Sequence, residues 1–514
     1  MKEEHKAKVI DSYNIESYKV KAQVSIERKE KEFVPVYVLK MPEIEAGTLA
    51  LMDQIGERLL AEVPIKFTEL VDPKALEELK TKFYDKSYMM LRNELTHESE
   101  SVWEFLAGSL VNDMLGLGKL EVLLGDGNLE DIVVNGANEP VWVFHKKHGW
   151  LKTNVVIPQE SQIVNYASII GRKVGRQITT LNPLMDAHLT SGDRVNATLF
   201  PISTRGSTIS IRMFRRKPWV ITDLIENKTI DINVAALLWT SIQYEMNMIV
   251  SGGTATGKTT FLNVMMPFIP INHRILSIED TREIELPSFL HWVPLTTREP
   301  NFEGKGEVSM LDLLVNSLRM RPDRIIVGEI RRAREAEVLF EAMHTGHSVY
   351  ATLHADTAAQ TYRRLVNPPI SVPEPLLEAL DLLVVMFRDR RKGIRRIYEV
   401  AELIPNTAGS KVSMEVRTIN RWNPAKDVME KFQESHKLME KLQTFTGMTE
   451  REIEKQLKEK QFILEWMMKN KIKTLNGVGK VVDEYYQNPE ETLEIIRRKT
   501  SKATDLVPEQ YLEI

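Results

Sequence analysis

The chain has 514 residues, too many for a single core, and about three or four domains are expected. Its hydrophobic content of 43% and charged content of 27% suit a globular protein, and a formal charge of −4 supplies no global basic field for nucleic acid. The absence of cysteine excludes disulfides, thiolate catalysis and cysteine-ligated zinc. The start Met1-Lys2-Glu3-Glu4-His5-Lys6 lacks the apolar core of a signal peptide. The apolar stretch Ala379 to Phe387, interrupted by Asp381, falls far short of a membrane span, so a cytosolic protein is expected.

Residues 1–95 read as a first domain. Val34 to Leu39 reads as a strand. Thr48 to Leu60 reads as a helix with Leu49, Leu51, Met52, Ile55, Leu59 and Leu60 as its apolar residues. The Lys/Glu-rich segment Ala75 to Lys86 reads as a solvated helix. Residues 96–216 read as an α+β domain. A helical stretch from Ser101 to Leu124 turns at Gly125 to Asn128, and strands are expected at Asp131 to Gly136, Pro140 to Phe144, Arg194 to Leu199 and Thr208 to Phe214. The basic run Arg215-Arg216-Lys217-Pro218 reads as a linker. Residues 217–405 alternate strand with helix and predict a parallel α/β core. Residues 406–514, dense in Lys and Glu, read as a helical appendage. There Val428, Met429, Phe432, Met439 and Leu442 recur at helical spacing, Thr449 to Glu452 forms a capping box, and Pro489 starts a further helix. The methionines and Trp466 of this region are assigned to core.

Within the α/β core, Gly252-Gly253-Thr254-Ala255-Thr256-Gly257-Lys258-Thr259 matches the phosphate-binding loop G-x-x-x-x-G-K-[ST]. The apolar run Met246 to Val250 before it reads as a buried strand, and Thr260 to Met266 after it can continue as a helix. That context points backbone N–H groups and a helix N-terminus at phosphates. Lys258 would reach the β- and γ-phosphates, and the Thr259 hydroxyl would ligate Mg²⁺.

Three further segments carry chemistry. Ile278-Glu279-Asp280-Thr281-Arg282-Glu283 follows the apolar run Ile275 to Ser277 and delivers carboxylates to a strand end, where a hydrolase orients Mg²⁺ and activates water. Arg324 to Glu329 is a second apolar strand ending in a carboxylate, with Gly328-Glu329 where an aspartate is ordinary. Gly346 to Asp356 is a third strand, bracketed by His347 and His354. A lone histidine is more often structural, but two beside a nucleotide site suit sensing of the γ-phosphate. No carboxylate–histidine cluster completes a coordination shell for the pair in sequence.

In this order, the four motifs resemble the type II/type IV secretion ATPase superfamily. Ile278 to Glu283 is similar to its aspartate box, Ile325 to Glu329 to its atypical Walker B strand, and Gly346 to Asp356 to its histidine box. Leu117 to Glu121, Glu130 to Gly136 and Gly192 to Thr198 resemble its N-terminal signatures, so the likeness spans about residues 100–405. The missing four-cysteine module and the phrases Ser277 to Glu283 and Arg321 to Arg331 resemble the archaeal branch, nearest the motor ATPase of the archaellum.

The resemblance implies an α/β fold with a RecA-like P-loop ATPase core, an N-terminal α+β domain and a helical C-terminal appendage. It implies a Mg²⁺-dependent ATPase that works as a homo-hexamer. The residues Gly252 to Thr260, Thr260 included, would hold ATP, and Thr259 and Glu329 would hold Mg²⁺, Glu329 partly through water. Glu283, the last glutamate of the aspartate box, would activate water, with Glu279 as the competitor, and His347 and His354 would report the γ-phosphate. Arg194 and Arg212 match the arginine-bearing region that serves a neighbouring subunit's site, with Arg176 and Arg205 as alternatives. Expected partners are a polytopic membrane platform protein and accessory cytosolic motor proteins, met at the inner face of the cell membrane, and no nucleic acid. A secretion or adhesion-pilus assembly ATPase, a nucleic-acid translocase and a nucleotide-gated scaffold are the alternatives.

Overall fold

The computed structural model describes residues 8–30, 32–63, 73–189, 192–213, 218–298, 300, 304–406, 413–498 and 500–512. Contacts divide the chain into two compact units, Met1–Arg216 and Lys217–Ile514. The expected linker residues Arg215, Arg216 and Lys217 lie outside the described residues.

The first unit is built on one nine-stranded sheet. Its strands are β1 (Lys8–Ser17), β2 (Val20–Arg28), β3 (Val36–Lys40), β4 (Leu129–Val134), β5 (Pro140–His145), β6 (Gly149–Val156), β7 (Leu184–His188), β8 (Arg194–Thr198) and β9 (Thr208–Arg212). Their order is β1-β2-β3-β6-β5-β4-β9-β8-β7. Alternation decides which face is buried: Val141, Val143 and His145 of β5 point inward, as do Val195 and Ala197 of β8. Strands on both sides of residue 95 share this sheet through the parallel pairing of β3 with β6, so the boundary expected there coincides with no break in the sheet.

Two helical expectations in this unit are corrected. The helix Pro73–Glu94 is not wholly solvated, because Leu79, Phe83, Ser87 and Leu91 recur every fourth residue and are all buried. The stretch Ser101 to Leu124 is two helices, Glu100–Leu115 and Lys119–Leu124, separated at Gly116 to Gly118, where Gly118 has φ +56°.

The second unit also has nine strands in one sheet. They are β10 (Met248–Gly252), β11 (Ile275–Glu279), β12 (Trp292–Thr296), β13 (Arg324–Val327), β14 (Ser348–Leu353), β15 (Leu382–Asp389), β16 (Ile394–Asn406), β17 (Ser413–Asn423) and β18 (Val428–Lys431). Their order is β12-β11-β13-β14-β10-β15-β16-β17-β18, parallel from β12 to β15 and antiparallel beyond. Numbering β10, β11, β13, β14 and β15 as 1 to 5 gives the order 5-1-4-3-2 of a RecA-like core. Every residue of β10, β11, β13 and β14 is buried, as a parallel sheet covered on both faces requires.

The sheet continues past residue 405, since β16 runs to Asn406 and pairs with β17. Val428 and Met429 therefore lie on strand β18, not on a helix, and Phe432 just follows it. The helix that carries Met439 and Leu442 starts at His436, capped by Ser435. Thr449 and Glu452 do form a capping box for Glu450–Lys469. The C-terminal helices close over Ile232–Gln243. Trp239 stacks on Phe268 at 4.8 Å and donates to the Tyr486 hydroxyl at 2.7 Å. Trp466 is buried and donates to Ser501 Oγ at 2.7 Å, a core residue as expected.

Candidate nucleotide site

Central strand β10 delivers the phosphate loop. Gly252 has φ +151°, and a Cβ there would stand 2.5 Å from the Met386 carbonyl oxygen on β15 and 2.6 Å from Thr256 Oγ1, so only glycine fits. Gly257, at φ +93°, is the N-cap of the helix Lys258–Met265. It turns the helix's unpaired N–H groups toward the loop. Thr254 and Ala255 are exposed at the loop tip, while Thr259 and Thr260 sit in the helix's first turn.

Lys258 is 8% exposed, and its Nζ donates to the carbonyl oxygens of Gly252 and Gly253 at 3.0 Å each. The same Nζ lies 3.2 Å from His354 Nδ1, and His354 Nε2 lies 3.2 Å from Glu329 Oε1. An ammonium group only donates, so Nδ1 accepts and Nε2–H donates to the carboxylate. The tautomer of His354 is thereby fixed. Burial, reinforced by the Lys258 charge, holds the imidazole below its ordinary pKa and keeps it neutral. Burial also lowers Lys258, opposed by the carboxylates of Glu329, Asp356 and Glu283.

Glu329 has a second partner: Arg331 Nε and Nη2 bond its Oε2 at 2.9 and 2.7 Å, and Arg331 Nη1 reaches Asp280 at 2.5 Å. One guanidinium thus ties the ends of β11 and β13. Glu279 is 2% exposed. Its Oε1 accepts the N–H groups of Glu283 and Ile284 at 2.9 and 3.1 Å, while its buried Oε2 has no partner. Burial pushes this carboxyl up to about 7. Glu283 itself is exposed, on the backbone segment that Glu279 holds.

The structure brings Lys258, His354 and Glu329 together, but not His347. That residue stands before the first residue of β14 and His354 after the last, about 23 Å apart at the rise of a strand. His347 Nδ1 lies 3.2 Å from both the Ala342 carbonyl and Thr345 Oγ1, at the C-terminus of the helix Ala333–His344. In this chain it finishes a helix end, apart from the Lys258–His354–Glu329 contacts. Arg194 and Arg212 are register partners on β8 and β9, 3.9 and 3.7 Å from Asp186 and Asp131. Arg205 pairs with Glu139 at 2.8 Å, and Arg176 bonds the Asp186 carbonyl. All four belong to the unit Met1–Arg216, whereas Lys258 belongs to the other.

Motif reasoning from the sequence assigns no role to Arg331, Asp356 or Arg395. Arg395, on β16, donates to the Ala255 carbonyl at 3.4 Å, and its Cδ lies 3.5 Å from where a Gly257 Cβ would be. The basic run Arg388 to Arg396 was the available signal, but register alone places one member against the loop.

Among the described residues no group of three or more His, Asp or Glu side chains could hold a metal ion by itself. Mg²⁺ carried by phosphates needs only one or two protein oxygens. Thr259, in the first turn of the helix after the loop, and Glu329, whose Oε1 faces His354 beside Lys258, would supply them.

The family model for type II/IV secretion system proteins matches residues 128–445. The chain belongs to this family. An uncharacterised protein of Methanocaldococcus jannaschii, MJ0900, is 35% identical over 411 residues, covering 79% of this chain and 74% of that protein. A second from the same organism, MJ0781, is 38% identical over 346 residues, covering 66% of this chain but 46% of its own length. The type IV secretion system protein PtlH of Bordetella pertussis is 28% identical over 314 residues, covering 54% of this chain and 91% of PtlH. Among the described residues no helix is long and apolar enough to cross a membrane.

Proposed function

We propose that the chain hydrolyses ATP as one subunit of a homo-hexameric motor, docked at the inner face of the cell membrane and driving a pilus-like filament, the archaellum. The observation that carries the ATPase part of this reading is the chain of contacts Lys258–His354–Glu329 behind a glycine loop that only glycine can build, while the archaellum part rests on the resemblance of Ser277 to Glu283 and Arg321 to Arg331. The loop N–H groups and Lys258 bind the β/γ-phosphate charge as it develops. Thr259 and Glu329, the latter partly through water, would hold Mg²⁺, which would neutralise phosphate charge. Glu279 fixes the backbone of Glu283, and the exposed Glu283 carboxylate accepts the proton of the attacking water. His354, bonded to both Lys258 and Glu329, transmits the loss of the γ-phosphate. Arg194 and Arg212 supply the cation to a neighbouring subunit's site.

The test is steady-state phosphate release together with pull-down against the archaellum membrane platform protein. Turnover with selective capture of that platform supports the reading, and capture by a pilus or secretion platform instead refutes the archaellum step. The name of PtlH favours a second reading, a secretion ATPase, which the same pull-down separates.

A further inference from the structure

The helical end of the chain carries a recess that nucleotide chemistry does not use. A cavity of about 420 Å³ opens between the helices Glu450–Lys469 and Pro489–Arg497. Arg451, Lys455 and Lys458 line one wall, spaced i, i+4 and i+7 on one helix face, and Arg497 faces them from the other helix. Two carboxylates also line it. Glu459 already accepts from the Tyr485 hydroxyl at 3.0 Å and lies 3.7 Å from Lys455. Glu454 is exposed.

The pairing of charge around this recess is uneven. On the helix Leu475–Gln487 Lys480 pairs with Asp483 and Glu484, and Arg498, just past Pro489–Arg497, pairs with Glu494. Among the described residues Arg451, Lys458 and Arg497 have no ion-pair partner, and all three converge on the same cavity. Its apolar part is Leu493, 6% exposed, and Phe462, 37% exposed at the rim. Unpaired cations around a small apolar patch suit a ligand that brings both carboxylates and an apolar side chain. A planar lipid surface meets protruding residues rather than a recess between two helices. A seven-residue separation spans about 10 Å along the helix, which a second helix with acids at i, i+4 and i+7 matches.

We propose that this groove docks an acidic helical segment of a partner protein, with carboxylates on Arg451, Lys458 and Arg497 and one apolar side chain against Phe462 and Leu493. None of the residues that line it belongs to the phosphate loop.

The probe is a fluorescein-labelled helical peptide with Glu at i, i+4 and i+7 and one Leu between them, titrated against the full chain by anisotropy. Saturable binding is expected. It weakens about tenfold or more in the triple variant Arg451→Glu, Lys458→Glu, Arg497→Glu, and several-fold when the peptide Leu becomes Ser. The variant's circular dichroism and its ATP turnover without peptide match the wild type. Three results would overturn the proposal: no saturable binding, equal affinity of wild type and variant, or binding indifferent to the peptide Leu. So would tighter retention on phosphatidylglycerol vesicles than by peptide, lost in the variant, since it would assign the groove to a membrane.

Discussion

Replacing Glu279 with Gln isolates the most perturbed group at the nucleotide site. The Glu279 carboxyl has an ordinary pKa of 4.5 and is pushed to about 7 by burial, against the N–H groups of Glu283 and Ile284 that favour its charge. A folded pKa above the unfolded one means that the folded state binds the proton more tightly. The resulting stability is fully present below pH 4.5 and is lost as pH rises toward and through 7. At about 1.4 kcal/mol per pH unit, the whole effect is about 3 kcal/mol, and most of it falls between pH 5 and pH 8. Gln keeps the acceptor for Glu283 and Ile284 and, like the protonated acid, carries a buried donor where Oε2 has no partner, so it mimics the protonated form at every pH. The variant should therefore be about as stable as the wild type at pH 5 and should gain about 2–3 kcal/mol relative to it by pH 8. Urea unfolding of both chains at pH 5, 6, 7 and 8, followed by far-ultraviolet circular dichroism, measures that difference. A wild-type-minus-variant difference that stays constant across the range would refute the buried, proton-holding carboxyl.

Gly252→Ala should lower stability by about 2–4 kcal/mol and abolish nucleotide binding, because its Cβ meets the fixed Met386 carbonyl; a thermal melt and titration with a fluorescent ATP analogue check both. Arg395→Ala should weaken ATP binding about five- to twentyfold with a smaller change in kcat, read as a KM-against-kcat split. His354→Ala should cut turnover at least about tenfold, whereas His347→Ala should leave it within about twofold and act only on thermal stability.

Much of this site was legible because its motifs are local. The phosphate loop and the two strands ending in Glu279 and Glu329 depend on neighbours in sequence, and parallel strands announce themselves as continuous apolar runs. The histidines show the limit. A strand only reveals that His347 and His354 lie at its opposite ends once its length and direction are known, and only one end of a parallel sheet faces the loop. Arg395 was hidden for a similar reason, since its place follows from the pairing of β16 with β15, not from its own surroundings in sequence. In the fold, Val428 and Met429 satisfied a helical period, yet antiparallel pairing with β17 claimed them for a strand. The buried stripe Leu79, Phe83 and Leu91 was masked by the Lys and Glu residues on the other faces of the same helix.

The central claim is that Lys258 serves ATP hydrolysis. Phosphate release by the purified full chain with Mg²⁺ and ATP, compared with Lys258→Ala, tests it most directly. The account predicts steady turnover by the wild type and none above background in the variant, with both chains folded. Equal turnover in the two, or none in the wild type, would contradict it.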